Sequence, residues 1–405
     1  MIQIALLGFG VVGSGAAEVL TENKALIAAH CGEEINVKYI LDLREFPDHP
    51  LGNRVVHDVN VILDDPEVRV VLEMMGGSHP AYDFSKAALL AGKSVVTSNK
   101  EVVSTFGVEL LQIAKDAGVS YLFEASVGGG IPIIRPLQTD LSSNEILAVS
   151  GILNGTTNFI LTKMKNEGAA FADALKEAQR LGYAEADPTA DVEGIDAARK
   201  IVILAALAFG KLQDPKTVST VGISGITKDC TAVAERFGSA VKLIGHTEQV
   251  EGKVLSFVSP CLVPDANPIS HVDGVFNGIL VDANMLGRSF FYGAGAGKLP
   301  TASAVVADLI QIAKSLQKPP KCPTWVAANA DNLAPINAFV CRRIYAVEGC
   351  HKCAEKALAA FGSERVEFFD GGFFAVLVPA MSGKEASERF AKTGLEAKFI
   401  LPILD

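Results

Sequence analysis

The first thirteen residues constrain the fold most. Ile2-Gln3-Ile4-Ala5-Leu6-Leu7 is a short apolar run that leads directly into Gly8-Phe9-Gly10-Val11-Val12-Gly13, and a helix-like stretch continues from Val11 to about Ala29. Each glycine in this strand–turn–helix has a task. Gly8 allows the tight turn, Gly10 lets backbone approach a pyrophosphate, and Gly13 lets the helix pack close to the strand. A pyrophosphate placed there meets the unpaired N–H groups and positive dipole end of a helix. Glycine-rich turns also serve purely structural ends, but the strand before and the helix after favour dinucleotide binding.

The next hundred residues keep the alternation. Strands are expected at Ile35–Leu41, Arg69–Met74, Ser94–Thr97 and Ser120–Glu124, with helices around Ala81–Ala91 and Val102–Ala117. Short apolar strands separated by helices imply an α/β fold with a Rossmann-type, doubly wound parallel sheet. A chain of 405 residues exceeds one ordinary core. The net charge of -10, from 36 basic and 46 acidic residues, argues against nucleic acid or an anionic membrane as partner. No apolar run is long enough to span a bilayer, and the N-terminus lacks the basic start of a signal peptide. Seven scattered cysteines suit a reducing, cytoplasmic setting. Cys350-His351-Lys352-Cys353 is a C-x-x-C without a second pair at zinc spacing, so free thiols are expected there.

The pattern changes at Gly128-Gly129-Gly130-Ile131-Pro132. A strand at Ile146–Leu153 is expected, then helices near Thr156–Asn166, Phe171–Leu181 and Gly194–Phe209. Strands near Val241–His246, Val254–Val258 and Asn277–Asp282 complete an α+β domain for substrate and dimerisation. Gly293-Ala294-Gly295-Ala296-Gly297 precedes a helix at Thr301–Leu316, and Lys318–Pro323 is the best linker. The tail reads as strand, helix, strand, strand, helix, strand, a small ferredoxin-like βαββαβ module. The expected domains are 1–130, 131–318 and 336–405.

Polar chemistry concentrates between Gly182 and Lys200. Glu185, Asp187, Asp191 and Asp196 lie there, and Asp196 and Lys200 share one helix face. The apolar run Ile201–Leu207 that follows would partly desolvate Lys200 and suit it to proton transfer, although an ordinary surface ion pair has the same spacing. Lys100, after Thr97-Ser98-Asn99, follows a strand end where ligands of parallel sheets gather; a solvated lysine is the plainer alternative. The glycines of Glu124–Ile131 leave carbonyls open to an ion or form a hinge. Asn154-Gly155-Thr156-Thr157-Asn158 holds more polar groups than one helix cap needs.

Together these segments resemble the homoserine dehydrogenase family. The resemblance rests on Gly8–Gly13, Thr97–Lys100, Gly151–Asn158, Gly182–Lys200, and Gly293–Gly297 with Pro300–Asp308, and it covers about residues 1–316. It implies reversible, nicotinamide-dependent oxidation of L-homoserine to L-aspartate 4-semialdehyde, on the route to threonine and methionine. It implies that Lys200 is the acid/base, with Asp196 as its partner near the reacting oxygen, and that Lys100 is a second active-site lysine. It places the substrate against Glu185, Asp191, Asp196 and Lys100. It places the cofactor against Gly8, Phe9, Gly10, Val11, Val12, Gly13, Asp42, Thr97, Lys100, Gly182 and Gly297. It also implies a sodium ion held by carbonyls of Glu124, Val127, Gly129 and Ile131, and a homodimer or homotetramer.

The chain departs from the family pattern in two places. Where NADP-using members often carry arginine, Leu41 precedes Asp42-Leu43-Arg44, so NAD, or dual use of NAD and NADP, is expected. The tail resembles an ACT domain but has Glu348-Gly349-Cys350 where a Pro-Gly turn is usual, so assembly rather than threonine sensing is expected of it, through Phe368, Phe369, Phe373, Phe374, Val376, Leu377 and Val378. No fused aspartokinase is expected, because the dinucleotide fold begins at residue 2. Two other readings compete. A phosphorylating semialdehyde dehydrogenase would need a cysteine nucleophile, and Cys230 and Cys261 lack that setting. A dinucleotide-sensing regulator need not combine Lys100, Glu185, Asp196 and Lys200.

Overall fold

In the computed structural model, which describes residues 1–316 and 323–405, the opening run is strand β1 (Ile2–Leu7) and the glycine turn starts a helix at Val11–Glu22. The expected single helix to Ala29 is broken at Asn23, and Lys24–Cys31 forms a second one. The chain divides into two compact units. One comprises Met1–Glu145, Val202–Pro215 and Phe291–Ala328; the other comprises Ile146–Ile201, Lys216–Phe290 and Asn329–Asp405.

The first unit is built on a parallel sheet. Its strands β1, β2 (Ile35–Leu41), β3 (Val55–Val56), β4 (Val68–Glu73), β5 (Ser94–Thr97) and β6 (Tyr121–Leu122) stand in the order β3-β2-β1-β4-β5-β6. That order reverses direction between β1 and β4, the crevice where doubly wound sheets take ligands. Near-continuous apolar strands suit a sheet covered on both faces, and Ile4, Leu6, Val70 and Leu72 are fully buried. The helix Lys298–Lys314 packs on Val11–Glu22, where a Cβ on Gly15 would stand 2.9 Å from the Lys298 carbonyl oxygen. The last expected strand is cut short: after Leu122 the chain turns into a 3₁₀ helix, Glu124–Ser126. The candidate linker Lys318–Pro323 lies, apart from Pro323, outside the described residues.

The second unit is organised by an antiparallel sheet. Ile146–Ile152 lies between Phe276–Ala283 and Ser239–Val250, and the latter forms a long hairpin with Lys253–Pro264. The last three run beyond the expected limits, whereas Ile146–Ile152 stops one residue short of the expected Leu153. The hairpin is closed by Glu251 and Gly252, both with positive φ (52° and 76°), the geometry whose twist matches paired strands. The helix Lys228–Arg236 and the strand Gly287–Ala294 were not anticipated from sequence.

The tail follows the expected βαββαβ order. Val340–Glu348, Val366–Phe369, Phe373–Ser382 and Ala397–Pro402 form an antiparallel sheet in which the first and third strands are neighbours at the centre, the ferredoxin-like arrangement. The first strand begins at Val340 instead of Asn337, because Ile336–Ala338 forms a 3₁₀ turn. The structure corrects the expected apolar surface. Phe373, Phe374, Val376 and Val378 are buried, most of them in the module's own core, while Phe368 stays partly exposed. No helix among the described residues is long and apolar enough to cross a membrane.

The glycine turn yields a paired prediction. A Cβ on Gly13 would fall 2.1 Å from the Gly8 carbonyl oxygen, whereas one on Gly10 would meet nothing within 4 Å. Gly13→Ala should cost about 1–3 kcal/mol in urea unfolding. Gly10→Ala should leave stability unchanged yet weaken dinucleotide binding in a fluorescence titration, the outcome expected if backbone at Gly10 approaches a pyrophosphate. Equal stability losses in both would refute this division of labour.

Candidate functional site

In the first unit the turn is braced from β2. The Phe9 N–H donates to Asp42 Oδ2 at 2.8 Å, and Arg44 grips the same carboxylate with Nε and an Nη at 2.9 Å each. The Arg44 guanidinium holds Asp42 well below the usual carboxylate range. Asp42 therefore stands charged beside Gly8–Gly10, with an exposed arginine alongside.

At the ends of β4 and β5 a buried acid organises two loops. Glu73 accepts from the Met75 N–H at 2.7 Å and from the Thr97 hydroxyl at 2.5 Å. Thr97 Oγ1 in turn accepts from the Asn99 N–H, and Asn99 caps the helix Lys100–Ala117 through the Glu101 and Val102 N–H groups. Asn99 Nδ2 also donates to the Gly77 carbonyl at 2.7 Å. Lys100 thus begins the helix, half-buried, at the carboxyl end of β5. A cation at a helix N-terminus opposes the macrodipole, so helix stability does not explain Lys100. Glu73 itself was missed in the sequence, where it reads as the polar end of an apolar strand.

The Glu124–Ile131 loop is buried and held on both sides. Its Glu124 carboxylate accepts from the Ile133, Ile134 and Arg135 N–H groups at 2.7–2.8 Å, and the Glu124 N–H donates to Asp308, which pairs with Arg135 at 2.6 Å. Gly130 N–H donates to the Ala294 carbonyl, and a Cβ on Gly129 would fall 2.4 Å from the Gly295 carbonyl oxygen. The loop is therefore fixed against Gly293–Gly297, and Gly297 (φ 125°) immediately precedes the helix Lys298–Lys314. Ser126 Oγ is buried without a hydrogen-bond partner among the described residues. A rigid, carbonyl-rich loop with an orphaned hydroxyl fits a hard cation.

In the second unit the acids and Lys200 converge on the end of strand Ile146–Ile152. Lys200 Nζ donates to the Leu153 carbonyl at 2.7 Å and pairs with Asp196 Oδ2 at 2.8 Å, both side chains being over nine-tenths buried. Asn154 joins the group: its Nδ2 donates to Asp191 at 2.7 Å and to Asp196 at 2.9 Å, while its Oδ1 caps the helix Gly155–Glu167 at the Thr157 N–H. Asp191, Asp196 and Lys200 are thus brought together, and the ion pair is interior rather than superficial. Glu185 and Gly182 are exposed, on the loop that leads into Asp191. Gln179 holds that loop at the Glu185 carbonyl, and Thr156 holds it at the Tyr183 carbonyl. Asn154 was overlooked as a hub; its only trace in the sequence is the excess of polar groups at 154–158.

The two thiols weighed for a phosphorylating dehydrogenase, Cys230 and Cys261, do not stand as accessible nucleophiles. Cys230 and Cys261 are buried, and burial pushes the Cys261 thiol well above its ordinary value.

Homoserine dehydrogenase family models match residues 132–310 and, as the NAD-binding domain of homoserine dehydrogenase, residues 8–124. The chain is 43% identical over 319 residues to the homoserine dehydrogenase of Bacillus subtilis, covering 78% of this chain and 74% of that one. It is 43% identical over 318 residues to that of Neisseria gonorrhoeae, covering 78% and 73%. Among solved structures, a homoserine dehydrogenase from Thiobacillus denitrificans superposes with a TM-score of 0.91 at 36% identity, covering 100% of this chain and 98% of that one. The enzyme from S. aureus gives 0.83 at 35%, with 100% and 98% covered.

The buried Glu73 makes stability pH-dependent. Burial outweighs the hydrogen bonds from Thr97 and Met75 and pushes its carboxyl up to about 7, from 4.5. Raised above its unfolded value, the group contributes stability that is full below 4.5 and is lost as pH rises through about 7. In urea unfolding from about pH 4 to pH 8, the wild type should lose on the order of 3 kcal/mol relative to Glu73→Gln. Parallel pH curves for the two proteins would refute it.

Proposed function

The chain belongs to the homoserine dehydrogenase family, NAD(P)-dependent oxidoreductases that reversibly oxidise the hydroxyl of L-homoserine to L-aspartate 4-semialdehyde, and on that premise we propose how its own residues divide the work. The observation that carries the proposal is the buried Lys200–Asp196–Asn154 cluster. Lys200, aimed by the Leu153 carbonyl and Asp196, accepts the hydroxyl proton as the neutral amine during oxidation and, as the ammonium, returns it in reduction. The bound nicotinamide supplies the hydride acceptor. Asp196 compensates the positive charge that Lys200 acquires on taking the proton, and with Asp191 it orients the reacting oxygen. Lys100 binds substrate beside the cofactor. Glu185, exposed on its loop, meets the substrate ammonium by a charge-assisted hydrogen bond.

Residues 1–130 serve dinucleotide binding in this reading and 131–318 serve substrate and dimerisation, in keeping with the family matches at 8–124 and 132–310. The 336–405 module is assigned to assembly. A homodimer or homotetramer in the cytoplasm is the proposed working form, read by light scattering, and a monomer at assay concentration would count against it.

Purified protein should form NADH from NAD on addition of homoserine. Lys200→Met should lower kcat by about 10²–10⁴, the usual contribution of a positioned acid/base, with little change in dinucleotide KM. Glu185→Gln should instead raise the homoserine KM and leave NADH affinity unchanged. Near-normal turnover in the Lys200 variant, or parallel losses of both affinities in the Glu185 variant, would overturn these roles.

The coenzyme reading rests on Asp42 beside the glycine turn. Its carboxylate suits ribose hydroxyls and repels a 2′-phosphate, so NAD is favoured over NADP. Gly8 to Gly13, Thr97, Gly182 and Gly297 complete the proposed cofactor contacts. Asp42→Ser removes the like charge and leaves Arg44 available to a phosphate, so kcat/KM with NADP should rise relative to NAD. A wild type that already prefers NADP would refute the assignment. The carbonyls of Glu124, Val127, Gly129 and Ile131 are proposed to hold sodium, which would fix the loop. The same assay in choline chloride should run slower than in sodium chloride, and equal rates would remove the ion from the account.

A further inference from the structure

The C-x-x-C of the tail has no part in hydride transfer, yet its geometry is that of a reactive pair. Cys350 is the residue before the helix His351–Phe361, and its carbonyl accepts from the Cys353 and Ala354 N–H groups. The two Sγ atoms lie 3.8 Å apart, with Cys350 exposed and Cys353 half-buried against the module's core. The backbone is shaped for this approach. Gly349 has φ 154°, and a Cβ there would stand 2.9 Å from Cys353 Cβ and 3.0 Å from its Sγ. Backbone hydrogen bonding from Cys353 and Lys352 at the helix start lowers the Cys350 thiol below its ordinary value. Cys31, Cys230, Cys261 and Cys341 show no such arrangement: each is at least half-buried, and burial pushes the Cys31, Cys261 and Cys341 thiols up. No cluster of three or more His, Cys, Asp or Glu side chains able to hold a metal occurs among the described residues, which disfavours zinc for the pair.

We propose that Cys350 and Cys353 are a redox-active dithiol that exchanges reversibly with low-molecular-weight disulfides. Cys350 thiolate attacks one sulfur of the disulfide, forming a mixed disulfide and expelling one thiolate. Cys353, giving its proton to solvent, then attacks Cys350 Sγ, forms the intramolecular bond and expels the second thiolate. The pair loses two electrons and two protons, and the external disulfide is reduced to two thiols. Exposure selects Cys350 as the attacking sulfur, and the half-buried Cys353 is the resolving one. The disulfide would lock the entry to the helix His351–Phe361, whose Ala354, Ala357 and Phe361 pack into the tail's core.

The test uses the reduced full-length protein and glutathione disulfide without oxygen. Intact mass should fall by two hydrogens, both cysteines should become resistant to iodoacetamide, and dithiothreitol should reverse the change. Cys353→Ser should stop at one glutathione adduct on Cys350. Cys350→Ser should react about tenfold more slowly at this site, because the exposed thiolate is gone. Gly349→Ala should slow ring closure without slowing the first adduct; if that variant does not fold, the two serine variants still decide. A wild type that stays reduced under excess glutathione disulfide, or that accumulates the adduct instead of closing, would overturn the proposal.

Discussion

The burial of Lys200 beside Asp196 constrains everything around it. Two charges taken out of water cost several kcal/mol each unless geometry and further hydrogen bonds compensate. Here compensation comes from the Leu153 carbonyl on the lysine and from Asn154 Nδ2 on the aspartate. Those partners come from a strand end and a helix cap. The end of Ile146–Ile152, the start of Gly155–Glu167 and the first turn of Ile195–Phe209 must therefore meet at one point. The polar cluster is a condition of the fold in that unit as well as its candidate chemistry.

The first unit solves a similar problem at two other strand ends. Backbone N–H groups in a loop over a parallel sheet lose their water, and each needs an acceptor. Glu73 supplies one for Met75 and engages the Thr97 hydroxyl; Glu124 supplies three for Ile133, Ile134 and Arg135. Both acids sit where a strand gives way to a loop. One carboxylate can satisfy several donors, and so fixes a loop more firmly than an apolar contact would.

The strand–turn–helix opening, the alternation behind it and the βαββαβ tail could be read from sequence because each depends on local periodicity or on a glycine at a fixed offset. The pairing of Asp196 with Lys200 was likewise legible from spacing. Its depth was not, because an i,i+4 pair looks the same on a surface as in a core. Glu73 and Asn154 escaped for a related reason: their partners are 24 and 37 to 42 residues away and meet them only in three dimensions. Only part of the tail's apolar run is the surface expected of it: Phe368 is exposed, whereas Phe373, Phe374, Val376 and Val378 are buried. Phe374, Val376 and Val378 recur with period two on one strand, and that face is the one covered by the module's own two helices.

The same period explains how the tail is attached. On Lys253–Pro264, Leu255, Phe257, Cys261 and Val263 lie two or four residues apart and share one face of the central sheet. That face packs with Phe339, Cys341 and Leu404 of the tail, and the Leu404 N–H donates to the Leu262 carbonyl. A strand with apolar residues on both sides needs two covers. Chain beyond Asn329 supplies one of them, so the module shares a core with the sheet that carries Lys200's strand-end partner. The tail is accordingly a structural part of its unit. An account of the tail as a purely appended effector domain would leave a full apolar face of that sheet without a partner.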